Sequence, residues 1–103
     1  MTTKSDDAAP PPADELARCR REIEAIDRRI VELLAERIAL GRHTGPLKRA
    51  AGLPILDAAR EAEVIRRAVA VAREREVPPE PVREIFWHIV GMSRRLQESD
   101  ERR

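Results

Sequence analysis

Apolar residues recur along the first half of the chain in steps of three, four and seven: Leu16, Cys19, Ile23, Ile26, Ile30, Leu33, Leu40 and Leu47. Alternating threes and fours keep side chains on one stripe of an α-helix and mark a helix–helix seam. The spacing predicts a helix from about Ala13 to Ala50, with Asp14 as its N-cap. At 1.5 Å per residue that helix is ~50 Å long. A compact domain of this size is only ~26 Å across. Much of the seam is therefore expected to pack on a second chain.

Ala51-Gly52-Leu53-Pro54 ends this pattern. A second helix is predicted over about Asp57 to Glu76, with Ala58, Ala62, Ile65, Val69 and Ala72 on one face. Val77-Pro78-Pro79 stops it, because a residue before proline disfavours helix. The third helix is predicted from about Pro81 to Glu98, with Val82, Ile85, Phe86, Ile89, Met92 and Leu96 as its apolar face. No segment alternates strictly enough to predict a strand. The expected fold is all-α, with one long and two shorter helices per chain in an intertwined homodimeric bundle. Residues 1–12 are polar and proline-rich and read as a disordered tail. Residues 13–99 form one helical domain, and 100–103 a short disordered C-terminal tail.

Composition narrows the picture. With one Phe, one Trp and no Tyr, the core must be aliphatic. An aliphatic core of this size is marginal alone, which again favours self-association. A net charge of +1 with both signs interspersed argues against a nucleic-acid partner, which needs a basic face. Cys19 is the only cysteine and falls at an apolar helical position, where it reads as a packing residue. With the two histidines far apart, no metal-ligand cluster is expected. No apolar run approaches the ~20 residues of a membrane span, and the first residues lack the apolar stretch of a signal peptide. The expected location is the cytoplasm.

Candidate chemistry sits where polar residues interrupt apolar stripes. The first seam runs through Leu33 and meets Arg37 before Leu40. Lys48 follows eleven residues later, about 20° from a whole number of turns and ~16 Å along the axis. Arg37 and Lys48 thus share a face. Either each pairs with an acidic neighbour or snorkels to water, or the two grip a small anion. Gly41, Gly45 and Pro46 are expected to interrupt this helix before Lys48, and Pro46 to kink it by removing the hydrogen bond to Arg42. On the third helix, Ser93 and Gln97 extend the stripe of Ile89 with hydrogen-bonding groups, or mark a frayed end. On the second, Asp57 suits an N-cap, with Arg60 and Glu61 in the first turn; the helix dipole disfavours a cation there.

Together these residues resemble the all-helical class of chorismate mutases. Ile26-Asp27 and Leu33-Leu34-Ala35-Glu36-Arg37 are similar to that family's first helix. Lys48, Asp57-Ala58-Ala59-Arg60-Glu61 and Ser93-Arg94-Arg95-Leu96-Gln97 match its later landmarks, and Arg20 its first arginine. The match covers about Glu15 to Gln97, and its strength lies in having every landmark in order.

The resemblance implies rearrangement of chorismate to prephenate, in aromatic amino-acid biosynthesis, with no cofactor and no metal. It implies that Arg20 of one subunit and Arg37 of the other hold two substrate carboxylates. Lys48 and Gln97 donate to the ether oxygen, Glu61 receives the ring hydroxyl with Asp57 nearby, and Arg60 and Ser93 complete the lining. Helix geometry is consistent with sharing between chains: Arg20 and Arg37 lie ~25 Å and ~100° apart on one helix. A small dicarboxylate cannot touch both on one chain, so a symmetric dimer holds two equivalent sites. Two relatives of the superfamily stay open, one releasing pyruvate from isochorismate and one rearranging an amino analogue of chorismate. A third reading is a non-catalytic dimerisation module, which predicts seam cations matched by carboxylates and no cavity. A regulatory enzyme of the same pathway is a partner that the resemblance also raises.

Overall fold

A computed structural model describes residues 10–102. Among them are three helices and no strand: α1 (Pro12–Ala50), α2 (Ala58–Glu74) and α3 (Pro79–Glu101). Of the tail expected at residues 1–12, residues 1–9 lie outside the described residues, as does residue 103, while Pro12 is helical. The start of α1 differs from expectation. The carbonyl of Pro11 accepts from the backbone N–H of Asp14 and of Glu15, both at 3.0 Å. Pro12 then takes the first helical position, where a missing N–H costs nothing. Asp14 is thus not the N-cap but a residue of the first turn, where with Glu15 it complements the helix dipole.

The chain divides after Glu36 into two compact units. The first holds the N-terminal part of α1 and is tied by local ion pairs, Arg18 with Glu15 and Glu22, and Arg28 with Glu32. A lone helix buries little: Ile23 remains 55% and Leu33 59% exposed, with Leu16, Ile26 and Ile30 similar. The predicted seam is therefore open to solvent within the single chain.

The second unit runs from Arg37 onward. α1 continues unbroken through Gly41, Gly45 and Pro46 to Ala50. It closes at Gly52, whose φ of 73° is the left-handed conformation glycine adopts without a Cβ penalty. There Leu53 N–H donates to the Lys48 carbonyl at 2.8 Å, and Gly52 N–H to that of Arg49 at 3.0 Å. Asp57 caps α2 by accepting from Arg60 N–H at 3.0 Å. α2 ends on the same motif as α1, with Val77 N–H on the Ala72 carbonyl at 2.8 Å. Here, however, Glu76 takes the left-handed position, at φ 57°.

Ile65, Val69 and Val90 form the core, with Val64 and Phe86 packed against it. Of the predicted α2 face, Ile65, Val69 and Ala72 are buried, while Ala58 and Ala62 are exposed. On α3 the buried residues are Val90, Gly91, Ser93 and Gln97. That face is rotated from the predicted stripe, and Ile85 is left exposed. The rotation has a cause in α1: Gly41 lets Ser93 come so near that a Cβ added at residue 41 would stand 2.4 Å from Ser93 Oγ. Apolar pattern alone ranks Ile85 above Ser93, whereas close helix approach favours the small residue. α3 also runs past the predicted Glu98. Asp100 and Glu101, expected in the tail, are helical, held by Arg42 Nε to Asp100 Oδ2 at 2.7 Å and Arg49 to Glu101 at 3.6 Å. The Asp100 carboxylate holds the Arg42 guanidinium pKa above its ordinary value.

Among the described residues no helix is long and apolar enough to cross a membrane, and no His, Cys, Asp or Glu cluster is placed to hold a metal ion.

Candidate functional site

A cavity of about 330 Å³ lies within the second unit, walled by the end of α1, the start of α2 and the end of α3. That volume is at the lower end for small-molecule sites. Its polar lining includes Arg37, Lys48, Arg60, Glu61, Ser93 and Gln97, six of the eight residues singled out in the sequence.

Lys48 owes its position to the closure of α1. The turn at Gly52 brings the chain back so that the Ile55 carbonyl faces the ammonium, with Nζ donating to it at 3.0 Å. A second Nζ hydrogen goes to Gln97 Oε1 at 3.1 Å. A lysine has three hydrogens to donate, and the third meets no partner among the described residues.

Gln97 is 6% exposed. Its Nε2 donates to the Gly41 carbonyl at 2.7 Å and to Thr44 Oγ1 at 3.1 Å. A carbonyl can only accept and an ammonium can only donate, so this network dictates which way the amide points. Both amide hydrogens are engaged by α1. In this arrangement Gln97 orients Lys48.

Arg37 is half-buried on the cavity wall, and no carboxylate or carbonyl answers it among the described residues. Of the two readings of this seam cation, the internal ion pair is absent. Arg60 also reaches the cavity, with NH1 on Glu63 at 3.0 Å. Glu61 is held by an arginine that sequence reasoning missed. Arg94 Nε donates to Glu61 Oε2 at 2.9 Å, with the side chains only 29% and 23% exposed. The two lie 33 residues apart on different helices, so no local spacing signals the pair. The available hint was an arginine between Ser93 and Gln97, on a helix end turned inward. Thr44, Gly41 and Ile55 were missed for a related reason, since two of them act through backbone carbonyls.

Two candidates stand outside this lining. Asp57 is exposed, its carboxylate given to the α2 cap. Arg20 belongs to the first unit, exposed and without a partner among the described residues. A larger cavity, about 520 Å³, runs over Val64, Ala68, Val71, Val82 and Phe86, with Arg67 and Arg75 at its margin. It is the more apolar of the two and lacks Lys48, Glu61 and Gln97, so the chemistry resides in the smaller one.

Taken together, the smaller cavity offers four cations against one carboxylate, Arg37, Lys48, Arg60 and Arg94 against Glu61. Such a wall suits a compact ligand with more than one negative charge and a group that can donate to Glu61. Comparison with known proteins bears on this. Residues 19–98 match the family model of chorismate mutase type II. The chain is 31% identical over 84 residues to a chorismate mutase of Methanocaldococcus jannaschii, covering 82% of this chain and 85% of that one. It is 30% identical over 79 residues to the T-protein of Enterobacter agglomerans, covering 77% of this chain and 21% of that one. It is 38% identical over 61 residues to the bifunctional chorismate mutase/prephenate dehydratase of Aquifex aeolicus, covering 59% of this chain and 17% of that one. The chain thus spans nearly the whole of one relative and about a fifth of two longer ones. With its landmark residues gathered on one cavity and the family match running over most of its length, the chain belongs to the chorismate mutase type II family.

Proposed function

We propose that this chain, a chorismate mutase and hence an isomerase by its family, rearranges chorismate to prephenate in sites shared by two copies of itself. One carbon–oxygen bond breaks and one carbon–carbon bond forms within the substrate, so no nucleophile enters the balance. Two contributions remain for the protein. It holds the flexible substrate compact, and it places a donor where negative charge develops on the ether oxygen. The observation that carries the reading is Lys48, anchored at Ile55 and Gln97 with one hydrogen left over, facing a cavity that also presents the unanswered Arg37. On this reading Lys48 donates to the ether oxygen; Gln97 holds Lys48 and, by exchanging one of its bonds to α1, donates to the same oxygen. Arg37 and Arg60 meet carboxylate charge, and Glu61 accepts the ring hydroxyl. Ser93 contributes polar lining, and Asp57 fixes the start of the helix that carries Glu61.

Replacing Lys48 by alanine is expected to lower turnover on the order of 10²–10³-fold with helical content intact. Near-normal kinetics in that variant would remove the mechanism. Glu61 favours chorismate over its amino analogue, because a substrate hydroxyl needs an acceptor; chorismate, its isomer and the amino analogue assayed side by side separate the readings. A dimerisation module without catalysis predicts that Arg37 meets a protein carboxylate, and none does among the described residues.

Homodimerisation is the finer part of the proposal. It is supported by the open seam of Leu16, Ile23, Ile26, Ile30 and Leu33, and by the apolar groove over Val64, Val71 and Phe86. Arg20 then enters each site from the partner copy. Arg20→Ala and Arg37→Ala proteins, each inactive alone, should regain partial activity on mixing, since a mixed dimer carries one intact site. No recovery after verified subunit exchange would refute sharing. The same reading takes residues 13–99 as the catalytic domain and the cytoplasm as its location. A regulatory pathway enzyme is tested by adding candidates to the chorismate assay.

A further inference from the structure

Arg94 forms the most covered ion pair among the described arginines of the second unit. Arg60, Arg67 and Arg83 pair within one helix, three or four residues away, with largely exposed side chains, and Arg42 and Arg49 pair between helices at more exposed positions. Such pairs contribute little. Arg94 instead reaches from α3 to α2 across 33 residues, and both partners are mostly covered. The contact is one-sided. Nε engages Glu61 Oε2 at 2.9 Å, which leaves Oε1 free to accept from something in the cavity that both residues line. The surrounding cations are committed or unsuited to this task. Lys48 is turned to Ile55 and Gln97, and Arg60 to Glu63, while Arg37 makes no hydrogen bond or ion pair with Glu61 among the described residues.

A carboxylate beside a doubly anionic ligand faces repulsion, and a mostly covered carboxylate also loses solvation. Left alone, Glu61 would turn away from the ligand, and that change removes its acceptor. We propose that Arg94 is a positioning residue for the rearrangement, holding Glu61 by one oxygen and offsetting its charge so that the other oxygen can accept the ligand hydroxyl next to two carboxylates. This rests on the chorismate reading above and adds a residue to it.

The test is a double-mutant cycle on the purified full-length protein, following chorismate consumption for wild type, R94M, E61Q, R94M/E61Q and R94K. R94M is expected to lower kcat/KM by about 10- to 100-fold, the range for one lost charged hydrogen bond. E61Q should lose a comparable factor. The double variant should be no worse than E61Q within about threefold, because with Glu61 gone Arg94 has nothing left to position. R94K, which restores a cation at shorter reach, should recover part of the R94M loss. If Arg94 merely supports the fold, R94M multiplies the loss in the E61Q background and R94K does not help. That result, a wild-type-like R94M, or a wild-type-like E61Q overturns the proposal. A wild-type protein that consumes no chorismate sinks the functional reading itself, and is told apart because no protein in the series then turns over.

Discussion

Replacing Gly41 by alanine gives a sharp test of how the site is assembled. A Cβ at this position would lie 2.4 Å from Ser93 Oγ, whereas ordinary contact begins at 3.4 Å. About 1 Å must therefore be found, and Ser93 is buried with little room to yield. Overpacking of this kind costs about 1–3 kcal/mol. Against it stands the roughly 1 kcal/mol that alanine gains over glycine inside a helix. The net loss is therefore about 0–2 kcal/mol, a fall of up to ~15 °C in Tm for a chain of this size. Activity should suffer more than stability. Gln97 reaches Gly41 and Thr44 on α1 while holding Lys48, so parting the helices misplaces the ammonium directly. A misplacement of about 1 Å costs on the order of 10²-fold. Gly45, one turn on, is the control: its added Cβ would meet Gln97 Cγ at 3.7 Å, an ordinary contact. Gly45→Ala should keep activity within a few-fold and raise Tm. Pairing Gly41→Ala with Ser93→Ala removes the clashing oxygen and leaves Cβ atoms 3.8 Å apart, so the double variant should regain the stability lost. The assays are thermal denaturation by circular dichroism and initial rates of chorismate consumption. Equal behaviour of the two glycine variants, or a fully active Gly41→Ala, would refute the packing argument.

Other expectations are independent of this one. Glu76→Gly relieves a left-handed residue that is not glycine and should stabilise the protein by about 1 kcal/mol, read as a rise in Tm with unchanged turnover. Asp57→Ala removes the α2 cap and should cost about 1 kcal/mol; because Asp57 is outside the cavity lining, kcat should change only a few-fold. On the proposed homodimer, Leu33→Glu places a charge on the open seam and should shift sedimentation toward monomer, with activity lost in parallel. An unchanged dimer there would count against the seam as the interface.

Helix existence and class were legible along the chain because periodicity is local. Steps of three and four, Gly52 before Pro54, and the Val77-Pro78-Pro79 run all act through neighbouring backbone, and each helix formed within three residues of where these signals put it, although α1 runs unbroken through the Gly41, Gly45 and Pro46 expected to interrupt it. Cap identity was less legible: Pro11 took the role read for Asp14, because a carbonyl can cap without any side-chain signal. Six of the eight singled-out polar residues meet on one cavity wall, since a cation or amide on an apolar stripe is visible as a broken rule. What those residues do to one another was not visible. The Arg94–Glu61 pair, the hold of Gln97 on Lys48, and the turn of α3 toward Ser93 rather than Ile85 all depend on distances between segments 30 to 60 residues apart. Sequence spacing carries the phase of a side chain on its own helix. Only packed helices, brought together here by the missing side chain of Gly41, decide which phases face each other and how each hydrogen bond is shared.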